Sequence, residues 1–207
     1  MELTESHRTA LWDVLNWRRD VRHFRTDPIP ERIKKTLQAA MDLAPSVGNA
    51  RPWRVVEVVT PALREQIIAN FEGANEAAGE IYDDDRKQAY NALKLAGLRE
   101  APLHLAVFTD HAPKAGHGLG RQTMPEMLNY STVAAIHTLW LVARAENIGV
   151  GWVSIFDPQS VCRTLGVSET WSLTAYLCIG YPVEVNQTPE LHRRGWQTSA
   201  DSAWIKA

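Results

Sequence analysis

The sequence predicts one domain that combines helices and strands around a long buried helix. Three observations carry this. Apolar residues recur at helical spacing in several separate stretches, and short runs rich in β-branched residues stand between them. One stretch, Pro125 to Asn147, is apolar on nearly all sides. The 207 residues fit a single domain, 1–207, long enough to bury a substantial core, and no internal repeat divides them.

In chain order, Leu11, Trp12, Val14, Leu15 and Trp17 recur at helical spacing with Thr9 as the cap. This predicted helix leads into Trp17-Arg18-Arg19-Asp20-Val21-Arg22-His23-Phe24. On a last helical turn Arg18 and Arg22 share a face, while Arg19 and Arg22 stand three apart. Guanidiniums so arranged form a fork suited to a phosphate or to the polar edge of a heterocycle. Three cations this near should lower the pKa of Asp20 and hold it ionised, a proton acceptor beside a bound ligand. Alternatively, Asp20 only neutralises its neighbours on a solvated face.

Thr26 to Pro30 reads as an extended turn, because each proline restricts the residue before it. Ile33, Leu37, Ala40, Met41 and Ala44 form one helical stripe that Pro45 stops. Pro45 to Trp53 then gathers hydroxyl, amide and guanidinium groups around Gly48, either as a ligand loop or as a plain helix-to-strand connection. Trp53 to Thr60 reads as a strand, Pro61 to Phe71 as a helix, and Asp83-Asp84-Asp85 as a helix start or surface turn rather than a metal site. Helical spacing resumes from Tyr90 through Leu98, up to Glu100, and Pro102 to Thr109 is a buried strand.

His111 and His117 stand in Asp110 to Thr123 among glycines at 116, 118 and 120, a pattern that fits a mobile lid better than a metal site. Pro125 to Asn147 could be a membrane span or a central buried helix. Asn129, His137 and Arg144 favour the buried helix, and its apolar girth calls for a second subunit. Gly149 to Phe156 is a strand whose glycines would let a flat ring approach. Ser154 on it lacks the nucleophile-elbow pattern. Val161 to Leu165 is a short helix ended by Gly166, Leu173 to Gly180 a last strand, and His192 to Trp196 carries a second basic pair.

Composition narrows the function. A formal net charge of -2 and a pI near 6.4 give no basic field for nucleic acid. The first residues mix charges with no apolar run, which predicts the cytoplasm. Cys162 and Cys178 lack metal-ligand spacing and read as reduced core residues. Neither a G-x-G-x-x-G after a strand nor a P-loop is present.

Four motifs, in this order, resemble the nitroreductase-fold flavoproteins: Arg18-Arg19-Asp20-Val21-Arg22-x-Phe24, Pro45-Ser46-x-x-Asn49-x-x-Pro52-Trp53, Gly149-x-Gly151-Trp152-Val153-Ser154 and Ile179-Gly180-Tyr181-Pro182. Asp20 stands where ordinary members carry serine, and Arg51 where they more often carry glutamine. Those two residues, with Asn91 to Pro102 and Gly120 to Glu126, are similar to the branch that takes reduced FMN apart.

The resemblance implies an α+β fold, a mixed central sheet flanked by helices around the long helix, in an intertwined homodimer with FMN at the interface. It implies that Arg18, Arg19 and Arg22 hold the phosphate and ring edge, with Asp20 and Val21 between them. Leu93, Lys94, Gly151 and Trp152 would line the flavin, and Ser46 and Asn49 would come from the partner subunit. Arg193 would reach the phosphate, although Arg194 suits the motif equally. Asp20 and Ser154 would be the catalytic pair. The implied reaction is oxygen-dependent cleavage of reduced FMN to 5,6-dimethylbenzimidazole and erythrose 4-phosphate, for the lower ligand of cobalamin. FMN is then consumed as substrate with O2 as co-substrate, no metal is used, and a separate flavin reductase supplies FMNH2. The rival readings are an FMN-dependent NAD(P)H nitroreductase or flavin reductase, and a non-enzymatic flavin-binding protein.

Overall fold

The structure is a computed structural model and describes residues 1–205. Four strands form one sheet in the order β1-β2-β4-β3: β1 (Trp53–Glu57), β2 (Leu103–Asp110), β3 (Gly149–Val153) and β4 (Trp171–Gly180). Every pairing in the sheet is antiparallel. The parallel pairing that a mixed sheet implies is confined to one bridge outside the strands, Asp20 to Val150.

Successive strand residues point to opposite faces, so β2 and β4 supply two cores at once. Leu103, Val107, Ala175, Leu177 and Ile179 pack with Ile33, Leu37, Met41, Ile136 and Leu139 on one side. Those partners belong to α2 (Glu31–Asp42) and α5 (Met127–Ala145). Ala106, Phe108, Tyr176 and Cys178 pack on the other side with Ile67, Ile68 and Val161, from α3 (Pro61–Gly79) and α6 (Pro158–Leu165). Covered on both faces, β2 and β4 read as near-continuous apolar runs.

Caps and breakers account for several boundaries. Asp157 accepts from the Gln159 and Ser160 amides to start α6, and Gly166, at φ 62°, ends it in the left-handed region. Asp83 accepts from the Arg86 amide to start α4 (Asp84–Asn91). α1 (Glu5–Trp17) starts earlier than Thr9 predicts: its cap is Thr4, whose amide donates to His7 Nδ1 at 3.2 Å.

Tertiary pairing overrides local spacing twice. The chain leaves α1 at Arg18 in an extended conformation, and the Val21 amide donates to the Val150 carbonyl at 3.0 Å. The edge of β3 thus draws Arg18 to Phe24 out of the helical geometry that their spacing predicts. A methyl group on Gly151 would overlap the Val21 carbonyl oxygen, so glycine there permits the approach. Likewise α4 ends at Asn91 instead of continuing to Glu100. The chain beyond it wraps Phe24, whose ring a methyl on Gly97 would strike.

The 110–123 segment contains a single 3-10 turn, Ala115–Gly118. It interlocks with the turn Val47–Asn49: a Cβ on Gly116 would lie 2.9 Å from the Gly48 carbonyl oxygen, and one on Gly48 3.0 Å from that of Gly116. Among the described residues no helix is long and apolar enough to cross a membrane. A short α7 (Glu190–Arg193) lies in the tail.

Candidate functional site

The extended Arg18–Phe24 segment lays Asp20 against the end of β3. Asp20 Oδ1 accepts the Trp152 amide at 2.9 Å, and Oδ2 accepts Arg22 Nε at 2.8 Å. Arg22 Nη1 also donates to the Lys94 carbonyl at 3.2 Å. One guanidinium thus ties the carboxylate to the loop that carries Leu93 and Lys94. Lys94 itself pairs with Glu100 at 2.5 Å.

The three arginines do not converge on Asp20. Arg18 lies over the Trp140 ring with its guanidinium 4.9 Å from the ring centre, and Trp140 in turn neighbours Trp152, their centroids 6.4 Å apart. Arg19 donates to the carbonyls of Gln187 and Arg18. Only Arg22 reaches the carboxylate. The expected lowering of the Asp20 pKa is therefore reversed: burial raises it above the ordinary value of 3.8, and Glu190 adds to the rise. Arg22 and the Trp152 amide pull it back only in part. The side chain still keeps 32% of its surface open, so Asp20 is a tuned, reachable carboxylate.

Ser154 lies two residues beyond Trp152, exposed just past the end of β3. Asp20 is thus bound at the same end of β3 from which Ser154 follows two residues on. Val21 lies against Gly149 and Gly151. Ser46 and Asn49 are elsewhere: Ser46 Oγ accepts the Arg51 amide at 3.1 Å, and Asn49 is exposed with φ 54°. Among the described residues no hydrogen bond or ion pair joins them to the Arg18–Arg22 segment.

Arg193 pairs with Glu184 at 2.9 Å and shares with Asp20 and Arg22 a cavity of about 30 Å³. Arg194 lines a different one, with Lys94 and Glu100. The tail carboxylates Glu184 and Glu190 in this neighbourhood had no local motif to announce them, since they arrive by tertiary folding. A far larger cavity, about 570 Å³, lies away from Asp20. It is a trough between α2 and the open edge of β1, floored by Leu37, Met41 and Leu105.

As a donor set the site suits an anionic ligand with a flat ring. The Arg18 side chain donates no hydrogen bond among the described residues, which leaves a guanidinium fork free for a phosphate, and the Ser154 hydroxyl is likewise open.

Residues 15–181 match the nitroreductase family, and the chain belongs to that family of oxidoreductases. Within it, the chain is 55% identical over 204 residues, 99% of both chains, to a protein of Rhodobacter capsulatus named 5,6-dimethylbenzimidazole synthase. It is 56% identical over 193 residues to a protein of the same name from Rhodospirillum rubrum, covering 93% of this chain and 92% of that one. Among solved structures, an iodotyrosine deiodinase bound to FMN and 3-iodo-L-tyrosine superposes with a TM-score of 0.74 at 21% identity, over 95% of this chain and 97% of that one. That likeness establishes the fold.

Proposed function

We propose that this chain is a 5,6-dimethylbenzimidazole synthase, acting as one domain that cleaves reduced FMN with O2 and releases erythrose 4-phosphate. The observation that carries the reading is full-length identity above one half to proteins of that name. The geometry supports it, because Asp20 is held at the end of β3 by the Trp152 backbone amide, two residues before Ser154, and by the Arg22 guanidinium.

Bound in the site, reduced FMN is the substrate and supplies the electrons that O2 takes up. The protein's part is binding, water exclusion and proton traffic. Arg18, with Arg19 and Arg193, meets the phosphate charge. Arg22 holds Asp20 Oδ2 and so keeps the carboxylate turned toward the reacting edge. Its raised pKa suits a group that must both take and return a proton. Ser154 offers a hydroxyl that donates or accepts at the same end of β3. The partner subunit contributes its Ser46–Asn49 turn and, with it, the 110–123 segment that interlocks with that turn and serves as the lid. A separate reductase supplies FMNH2, and the two free cysteines fit a reducing cytoplasm.

Purified protein mixed with FMNH2 in air should yield dimethylbenzimidazole by chromatography without NAD(P)H. NAD(P)H oxidation with FMN left intact would instead identify a nitroreductase or flavin reductase, and tight FMN binding with neither reaction a flavin carrier.

A further inference from the structure

Asp20 lines the cavity of about 30 Å³, above the ~10–15 Å³ of such space that one water needs. Glu190 enters it from the tail, with only 11% of its side chain exposed. Glu190 Oε1 stands 3.2 Å from His23 Nε2, and the His23 side chain, 35% exposed, meets solvent. Asp20, Glu190 and His23 line this cavity together, so beside the face that Asp20 opens to a ligand there is a second path to water by way of the Glu190–His23 pair.

We propose that Glu190 and His23 carry protons between Asp20 and bulk solvent through this cavity. The proposal rests on Asp20 handling protons in the reaction above. Each Asp20 oxygen accepts one hydrogen bond and keeps a second lone pair, so a cavity water can reach the carboxyl without displacing Arg22 or the Trp152 amide. For an outward transfer, protonated Asp20 gives its proton to the water as the water gives one to Glu190. Glu190 passes a proton to His23 Nε2, and His23 releases the one on Nδ1. Asp20 ends as carboxylate, one proton has left, no electrons move, and His23 regains its starting tautomer by exchange with solvent.

The charges around the route favour this carrier. Arg22 stands beside Asp20, and Arg19 and Arg193 line the same cavity, which excludes free hydronium and leaves carboxylic acid and imidazole to hold the proton. Glu184 is neutralised by Arg193 at 2.9 Å. Arg194 Nε is 3.7 Å from Glu190, and from β4 the Cys178 thiol, pushed up to about 12 by burial, stays protonated and takes no part. Anchoring of the tail to the Arg18–Phe24 segment is already served by Arg19 on the Gln187 carbonyl, and Arg193 with Glu184 ties the tail to itself. Neither requires a carboxylate buried against an imidazole that opens to water. The rise that Glu190 imposes on Asp20 shows that the two carboxyls sense each other.

The first test uses the ligand-free protein. With ¹³C-labelled aspartate, the Asp20 carboxyl signal, identified by its absence in Asp20→Asn, is followed against pH. Glu190→Gln should lower the Asp20 midpoint, since a like charge is removed. His23→Gln should also alter the Asp20 curve, since His23 contacts the Glu190 carboxyl that Asp20 senses. In turnover with FMNH2 and air in weak buffer, both variants should lose up to the ~10²-fold that a positioned proton-transfer group supplies, at unchanged FMN affinity, and added imidazole should restore His23→Gln. An Asp20 titration identical in wild type and Glu190→Gln overturns the proposal. So does a folded His23→Gln protein whose lost rate imidazole does not restore. If the wild type makes no dimethylbenzimidazole, the assigned function fails, and the titration alone then decides whether the three groups are linked.

Discussion

Asp20 carries two consequences at the scale of a single residue. As a proton acceptor it works only when ionised, and burial raises its pKa above 3.8. Product formation should therefore fall as pH drops through that raised value, at a higher pH than an ordinary carboxylate would give. The same shift acts on stability with a definite sign: the Asp20 contribution is complete below 3.8 and is lost as pH rises through the raised value. Asp20→Asn, saturated with FMNH2, should lose ~10²–10⁴-fold in dimethylbenzimidazole formed per FMNH2 oxidised while still binding FMN. Wild-type yield from the fully occupied variant would remove Asp20 from the mechanism. The sequence singles out Asp20 and Arg22, which the fold pairs at 2.8 Å. The environment of Asp20 was not legible, because Glu190 stands 170 positions away and the Arg18–Arg22 geometry depends on β3 lending the Val150 carbonyl.

Elements were legible where their own residues decide them. β2 and β4 show as apolar runs because both faces are covered, and the end of α6 shows because Gly166 stops it, whereas its start at Pro158, capped by Asp157, comes three residues before the predicted Val161. The ends of α1 and α4 were hidden because long-range partners override helical spacing there. Between β2 and β4 sits a buried pair that local patterning also misses. His104 Nδ1 lies 3.0 Å from the Tyr176 hydroxyl, and Nε2 is 3.1 Å from the Ala101 carbonyl. Neutral imidazole satisfies both, donating from Nε2 and accepting at Nδ1. Burial first, then Arg64, lowers the His104 pKa from 6.5 to about 4. The unfolded chain thus binds the proton more readily, and stability falls as pH drops from 6.5 toward 4. The loss attributable to His104 should approach roughly 3 kcal/mol. Urea unfolding across this window should show that slope in wild type and a shallower one in His104→Gln. Equal slopes would show that His104 does not drive the acid sensitivity.

At the scale of the whole molecule, two surfaces ask for cover. No residue of α1 is buried, and its Trp12 is 64% exposed. α5, whose other faces are packed, leaves Tyr130 54% exposed beside Val133. Apolar surface of this kind marks an interface, so light scattering at micromolar concentration should give about twice 23.2 kDa. A folded monomer that still binds FMN would refute the shared site. The girth of the central helix is what raises the expectation of a second subunit from sequence, but the exposure of α1 was not legible, because its amphipathic spacing reads equally well as core.

The interlock of Gly48 with Gly116 restricts how this chain can vary. A methyl group at either position runs into backbone of the other's loop, so each turn is the template against which the other is shaped. Once one loop has been pushed aside, the second substitution meets a neighbour already displaced, and its penalty should be smaller than the first. The two positions therefore behave as one inherited unit: drift at residue 48 is closed until residue 116 moves with it, although 68 places separate them along the chain.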